Sequence, residues 1–274
     1  MIAKIALSVL ALAASAQAAY PQRWVTVLLE NTNYASAMAD PYLGTNLTAR
    51  GQLLTNYQAI THPSQPNYVA LIGGSTLGVT SDSTVNLAYT SLVDLLEAKF
   101  ISWKTYQDAM PSACYTGSTS GTYARKHNPF ISFNDVRTNS TRCAKIVPAT
   151  QMAVDEANNA VPKYVFYTPD LNNDGHDTGV TYASNWLKGW LEPKLANPIY
   201  ANTLFAITFD ENAGITPNQV YTLLIGGPAN AKKGTTDGTA YNHYSLLKSV
   251  EDTWSLGNLG RGDATATRFS LMTV

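Results

Sequence analysis

The chain has 274 residues, 45% of them hydrophobic, and a formal charge of -1 at neutral pH. That is apolar material for one sizeable core, and the near-neutral balance argues against a nucleic-acid partner and against disorder. After the first twenty residues no run approaches the roughly 18 to 20 uninterrupted apolar residues of a membrane span, so stable membrane insertion is not expected.

The first stretch, MIAKIALSVLALAASAQAAY, sets Lys4 before an apolar run from Ile5 to Ala14 and ends in the small-x-small triplet Ala16, Gln17, Ala18. This is the pattern of a secretory signal peptide, so residues 1–18 are read as that peptide and 19–274 as a single mature domain, secreted to an extracellular compartment. Export makes a disulfide the expected state of the two cysteines, Cys114 and Cys143. Closing a loop of that size contributes roughly 3 to 4 kcal/mol, which suits an enclosed segment rich in Ser, Thr, Gly and Asn. The sequons at Asn46 and Asn139 are candidate glycan sites.

Runs of strand length rich in β-branched and aromatic residues alternate with helical patterns. Strands are predicted at 24–29, 101–106, 163–168, 203–209 and 220–227, and helices at 91–100, 150–161, 181–195 and 243–254. In the third helix Tyr182, Trp186, Trp190 and Leu191 are expected to form the face that covers a sheet. Strands separated by helices predict an α/β fold: a mostly parallel central sheet with helices on both faces.

Polar groups collect where these strands end. Glu30-Asn31 follows the first, PDLNNDGHD follows the third, and Asp210-Glu211 follows the fourth, the ends at which open α/β sheets bind ligands. Adjacent carboxylates closing a buried strand repel each other unless a cation lies between them, so Asp210 and Glu211 are read as metal ligands. In ITHPSQPNYVALIGG, residues 60–74, Pro66 and Gly73 bracket a short helix with Ser64 at its start. Ser64 there either caps the helix or presents its oxygen at an anion-binding N-terminus, and the neighbouring His62 and Asn67 favour the second role. The other histidines, His127, His176 and His243, all fall in loops or at helix starts, open to acid–base or anion-binding work. Arg125, Lys126 and His127 form a cationic cluster suited to phosphate or, equally, a solvated face.

The ordered segments ENTNY, THPSQPNY, YARKHNPF, TPDLNNDGHD, TFDEN and HYSLLKSVED resemble the phosphoesterase family of secreted fungal acid phosphatases and bacterial phosphatases and phospholipases C, whose fold is alkaline-phosphatase-like. The resemblance runs from Trp24 to Trp254. It implies that Glu30, Asn31, Asp210 and Glu211 hold one divalent metal ion, of calcium, magnesium, manganese or zinc, with Ser64 as a nucleophile touching it. It also implies that His62 and Asn67 flank the nucleophile, that Asn67, His127, Lys126 and Arg125 bind the phosphate ester, and that His176 or His243 protonates the leaving alcohol. Asp170, Asp174 and His176 could supply part of a second metal site, but a full second ligand set is not visible and one metal is expected.

The implied activity is hydrolysis of phosphate monoesters at acidic pH through a phosphoseryl intermediate. A phosphodiesterase or phospholipase C on the same scaffold is the nearest rival, and a non-catalytic secreted metal- or sugar-binding protein is another. A serine hydrolase with a His/Asp triad is disfavoured, because the chain lacks a G-x-S-x-G elbow and carries Pro63 and Pro66 around the serine.

Overall fold

The run RWVTVLL at Arg23–Leu29 is buried at every position from Trp24 onward, so it needs cover on both sides of its pleat. It finds that cover at the centre of an eight-stranded sheet in the computed structural model, which describes residues 20–272; the expected signal peptide lies outside the described residues. In chain order the strands are β1 Arg23–Leu29, β2 Gln52–Leu54, β3 Trp103–Gln107, β4 Ile146–Pro148, β5 Tyr164–Thr168, β6 Thr203–Phe209, β7 Thr222–Ile225 and β8 Thr235–Asp237. Side by side they run β8-β2-β7-β6-β1-β5-β3-β4. Only β7 is antiparallel to its neighbours. The five predicted strands all form, and β2, β4 and β8 join them as three-residue strands too short to leave a period in the sequence, β4 and β8 at the two edges.

Five helices matter here: α1 Ser64–Gly73, α2 Leu92–Ala98, α3 Gln151–Ala157, α4 Val180–Ala196 and α5 His243–Thr253. Register shows which sides of the sheet are covered. Val25 and Val27 pair with Phe205 and Ile207 of β6, and Val27 pairs with Tyr167 of β5, so these residues share one face. On that face Trp190 of α4 packs on Tyr167 at 4.7 Å and edge-on to Phe205 at 6.3 Å. The alternate residues point the other way, where Trp24 stacks on Phe269 and Phe166 meets Phe130. Both faces are therefore buried.

One detail of α4 departs from expectation. Its buried line is Ala183, Leu187 and Leu191, with Trp186 and Trp190 on the flank, while Tyr182 is 49% exposed. At 100° per residue Tyr182 falls well outside the stripe centred on Leu187, so the aromatic face predicted from 182, 186 and 190 is rotated toward solvent at its first member.

Cys114 and Cys143 are bonded, as expected, pinning the segment that carries Lys126 and His127. Asn46 and Asn139 are both exposed.

A buried acid pair sits far along the chain. Glu251 of α5 has 0% exposure and no hydrogen-bond partner for either carboxylate oxygen, and it faces Asp263, whose own oxygens accept the N–H groups of Leu259 and Arg261. Burial first, then the Asp263 charge, pushes Glu251 up to about 9, with Lys248 opposing. A carboxyl raised in the folded state contributes stability that is complete below its ordinary value near 4.5 and is lost as pH rises through about 9. Thermal melts should therefore weaken from acid to alkaline pH, with a slope from this group of at most about 1.4 kcal/mol per pH unit. Glu251→Gln should flatten that slope; an unchanged profile in the variant would rule Glu251 out as its source.

Candidate active site

Strands β6, β1 and β5 are parallel neighbours, so their carboxyl ends open at one place. Glu30 follows β1, Asp210 and Glu211 follow β6, and Asp174 lies in the loop after β5. Backbone bonds lock these ends together: the Asp210 N–H donates to Leu29 O at 3.0 Å and the Glu30 N–H to Asp174 O at 2.9 Å. Helix α1 brings Ser64 to the same point. It does not grow from a main-sheet strand, since Tyr57–Gln58 before it pairs in a separate two-stranded ladder with Tyr241–Asn242. Gly74 ends α1 with φ +66, and a Cβ there would meet Asp263 Oδ1 at 2.4 Å, so only glycine closes the helix this way.

Ser64 is the first helical residue of α1, not its cap; the cap position is Pro63, which makes no side-chain bond. The Ser64 hydroxyl lies 3.0 Å from Glu30 Oε2 and 3.1 Å from Glu211 Oε1. Asn31 turns its amide to the same spot, 3.0 Å from Glu30 Oε2 and 3.2 Å from Glu211 Oε1. With nitrogen forward the amide bridges the two carboxylates; rotated by half a turn it offers an oxygen, the orientation a cation selects. Asp210 Oδ1 accepts the Asn31 N–H at 3.4 Å, while Asp210 Oδ2 is buried with no hydrogen-bond partner.

A second group shares Glu30. His127 Nε2 is 3.0 Å from Glu30 Oε1 and its Nδ1 is 3.4 Å from Asp174 Oδ2. Glu30, His127 and Asp174 are all buried, with ligand atoms within 4.8 Å of one another, and together can hold a metal ion. Tyr68 of α1 stacks on the His127 ring at 4.9 Å and fixes its plane.

The charges follow from this crowding. Burial, then the charges of Glu30 and Glu211, push Asp210 well above the carboxylate range. Burial raises Glu211 too, with His62 opposing and Glu30 adding. Burial also raises Asp174, to about 6, against the pull of His127. For Glu30 burial acts upward, but the His127 charge and hydrogen bonds from His127, Asp210 and Tyr68 outweigh it and hold the group at about 2. His127 mirrors this: burial disfavours its charge, yet Glu30 and Asp174 raise it to about 9. Four buried carboxyl groups crowd around one imidazolium, and the Asp210 oxygen that lacks a hydrogen-bond partner is what a hard cation would satisfy. The donor set fits such an ion.

The residues singled out from sequence are not all at this point. His62 is, with Nδ1 at 2.5 Å from Glu211 Oε2. Lys126 and His176 lie together at the rim: Lys126 Nζ is 3.4 Å from His176 Nε2 and 3.0 Å from Asp82 Oδ2, and His176 Nδ1 is 2.6 Å from Asp177 Oδ1. Burial opposes the Lys126 charge, but Asp82 more than offsets it.

Four expectations need correction. Asn67 is not a substrate group, because its Oδ1 accepts the N–H groups of Ile60 and Thr61 and its Nδ2 donates to Thr61 O and Pro63 O; it braces the loop that leads into α1. Arg125 is buried and spends its guanidinium on Thr116 O, Val85 O and Asn86 Oδ1, so it holds the disulfide-closed segment instead of facing phosphate. His243 is fully buried behind the site, with Nε2 at 2.6 Å from Asp210 O and Nδ1 at 3.0 Å from the Tyr57 hydroxyl. A carbonyl can only accept, so Nε2 carries the proton and Nδ1 accepts from Tyr57. Burial lowers His243 to about 4, the Asp210 carbonyl opposing. Both ring nitrogens are thus engaged by the protein, on the Asp210 carbonyl and the Tyr57 hydroxyl. Asp170, likewise, accepts from Thr122 and from two backbone N–H groups in its own loop, leaving Asp174 as the loop's contribution to the site.

Sequence reasoning placed His127 among phosphate-binding groups and paired Asp174 with His176. The structure instead unites His127, Asp174 and Glu30. No spacing rule could have found that triplet, since its members lie in three separate segments.

Fold and site define a class: an α/β protein with a mostly parallel sheet whose strand ends gather carboxylates around a serine. A protein of the alkaline phosphatase superfamily from Vibrio parahaemolyticus shares this fold at a TM-score of 0.59 and 12% identity, covering 93% of this chain and 72% of that one. The Phosphoesterase family profile matches residues 33–257, and the chain belongs to that family. It is 40% identical over 260 residues to the phosphate-repressible acid phosphatase of Penicillium chrysogenum, covering 91% of this chain and 63% of that protein. An acid phosphatase of Aspergillus fumigatus is also 40% identical, over 256 residues, covering 89% of this chain and 57% of its own length. The chain thus spans about three-fifths of these fungal relatives.

Proposed function

We propose that this chain is an exported hydrolase of phosphate monoesters working at acidic pH, with Ser64 as its nucleophile. The observation that carries the reading is the Ser64 hydroxyl set between Glu30 Oε2 and Glu211 Oε1 at 3.0 and 3.1 Å inside a buried cluster of carboxyl groups. A helix cap has no need of that environment.

Glu30, Asn31, Asp210 and Glu211 are the residues that would hold a divalent cation, which when bound supplies Lewis acidity beside the serine oxygen. The Ser64 hydroxyl points its proton at a carboxylate, the direction in which it must leave for the oxygen to attack phosphorus in line. As the Ser64 Oγ–P bond forms, the bond from phosphorus to the ester oxygen breaks. The departing alkoxide takes a proton from His176, whose Nδ1 lies 2.6 Å from Asp177 Oδ1, the carboxylate that would hold the ring's other proton. Lys126, beside that ring, balances the phosphoryl oxygens, with charged His127 beneath. Water then attacks phosphorus and gives a proton to the deprotonated His176, while the P–Oγ bond of Ser64 breaks, its oxygen takes the proton back from the carboxylate, and phosphate leaves. His62 orients Glu211, and the Tyr57–His243 pair orients Asp210 from behind.

The acidic setting is supported by the activity of the fungal relatives and by Glu251, which favours the folded chain at low pH. Export is supported by the Cys114–Cys143 disulfide, and the exposed Asn46 and Asn139 suit glycans added on that route. Among the described residues no helix is long and apolar enough to cross a membrane.

The test is turnover of p-nitrophenyl phosphate against bis(p-nitrophenyl) phosphate from acidic to neutral pH, with each divalent cation added in turn. The monoester should be hydrolysed at least about 100-fold faster, a transition-state difference of about 2.7 kcal/mol. A faster diester would move the chain to the phosphodiesterase reading, and no turnover of either would leave a binding protein.

A further inference from the structure

The first two turns of α4 and the loop carrying Asp174 leave a cleft of 410 Å³ between them, lined by Asn173, Tyr182, Asn185 and Trp186. Two aromatic rings and two amides line it, with no charged side chain among the described residues. Tyr182, Asn185 and Trp186 stand at i, i+3 and i+4, so they share one flank of the helix, the flank that turned away from the sheet. Tyr182 and Asn185 are exposed, whereas Trp186 is partly buried and fixed against Tyr167 at 5.8 Å and Trp190 at 6.0 Å. Asn173 is fixed as well, its Nδ2 donating to Asp108 Oδ2 at 2.6 Å. It directly precedes Asp174, whose carbonyl accepts the Glu30 N–H at 2.9 Å, and lies three residues before His176, so one short loop carries both a wall of the cleft and groups of the site.

We infer that this cleft is a subsite for the alcohol portion of the ester, and that it takes a neutral polyhydroxylated ring, a sugar or a cyclitol. The inference rests on the phosphatase reading above. Aromatic faces offer an apolar platform to the C–H side of such a ring, and amides donate to and accept from adjacent hydroxyls. The absence of charge in the lining selects against an alcohol bearing a second phosphate or a carboxylate. Because both aromatic side chains come from one helix flank they make a one-sided platform, and a flat base sandwiched between two rings has no opposing wall here. The volume falls in the range of small-molecule sites.

The experiment compares kcat/KM for glucose 6-phosphate with that for ethyl phosphate, which carries the same phosphoryl group on a two-carbon alcohol with no ring and no further hydroxyls. In Tyr182→Ala and Asn185→Ala the ratio of the two should fall about tenfold. An unchanged ratio in both variants overturns the subsite, as does a loss confined to p-nitrophenyl phosphate, which would mark a flat aromatic site. Titrating unphosphorylated glucose against tryptophan fluorescence gives a readout free of turnover: a saturable change weakened by Tyr182→Ala supports the cleft, and no change overturns it. If no ester is hydrolysed, the phosphatase reading fails while the fluorescence titration still decides the cleft.

Discussion

Replacing Ser64 by alanine is expected to lower kcat for p-nitrophenyl phosphate by about 10⁴ or more while leaving the fold intact. Two features of the structure separate these effects. Among the described residues the Ser64 hydroxyl is the one that bonds both Glu30 and Glu211, so its loss removes the attacking oxygen. Yet Ser64 is not the cap of α1, and that helix is tied down by buried Tyr68, Val69, Leu71 and Ile72 and closed by Gly74. The stability cost should be the roughly 1 to 3 kcal/mol of a buried hydrogen-bonding group, a Tm change of a few degrees in a chain of this size. Retained turnover in a folded Ser64→Ala protein would end the nucleophile reading. Acid-quenched wild-type enzyme should carry phosphate on serine, and the variant should carry none.

The second large effect concerns the carboxylates. A divalent cation at 100 times its dissociation constant should stabilise the fold by about 2.7 kcal/mol, raising Tm by about 5 to 10 °C, and a chelator should reverse this and abolish turnover. Asp210 makes the prediction specific. Its carboxyl is raised by burial and by Glu30 and Glu211, so in the cation-free chain the stability tied to its proton is complete at low pH and is lost as pH rises through its folded value. The Tm increment from added cation should therefore grow with pH. Asp210→Asn removes the repulsion and keeps the shape: it should match or exceed the cation-free wild type in Tm, fail to respond to cation, and lose activity. A variant that still gains stability from the cation would show that Asp210 is no ligand.

Much of this was legible in one dimension because the governing interactions are local or periodic. The strands at β1, β5 and β6 are apolar runs that only a two-sided sheet can bury, and each is followed at once by the acidic residues that end up in the site. The bracket of Pro66 and Gly73 placed α1 within a residue of where it lies. The cysteine pair and the exported context fixed the disulfide as the expectation.

What sequence could not distinguish was a polar side chain that serves the reaction from one that serves the scaffold. Asn67 and Arg125 sit in the same motifs as Ser64 and Lys126, and His243 opens a motif of its own, yet all three bond backbone groups of the scaffold. A hydrogen bond is decided by ångströms and angles, which a linear spacing does not carry. The union of Glu30, His127 and Asp174 has the same origin, since three chain segments must converge before their charges can see one another. The apolar runs thus set the central strands and the ends at which polar groups collect, while the grouping of Ser64 with Glu30, Asp210 and Glu211 was implied by the resemblance to the phosphoesterase family. Only tertiary structure decided which imidazole faces the acids, which one stands behind them, and that the outer flank of α4 opens beside the site, because those outcomes depend on through-space distance between segments far apart in the chain.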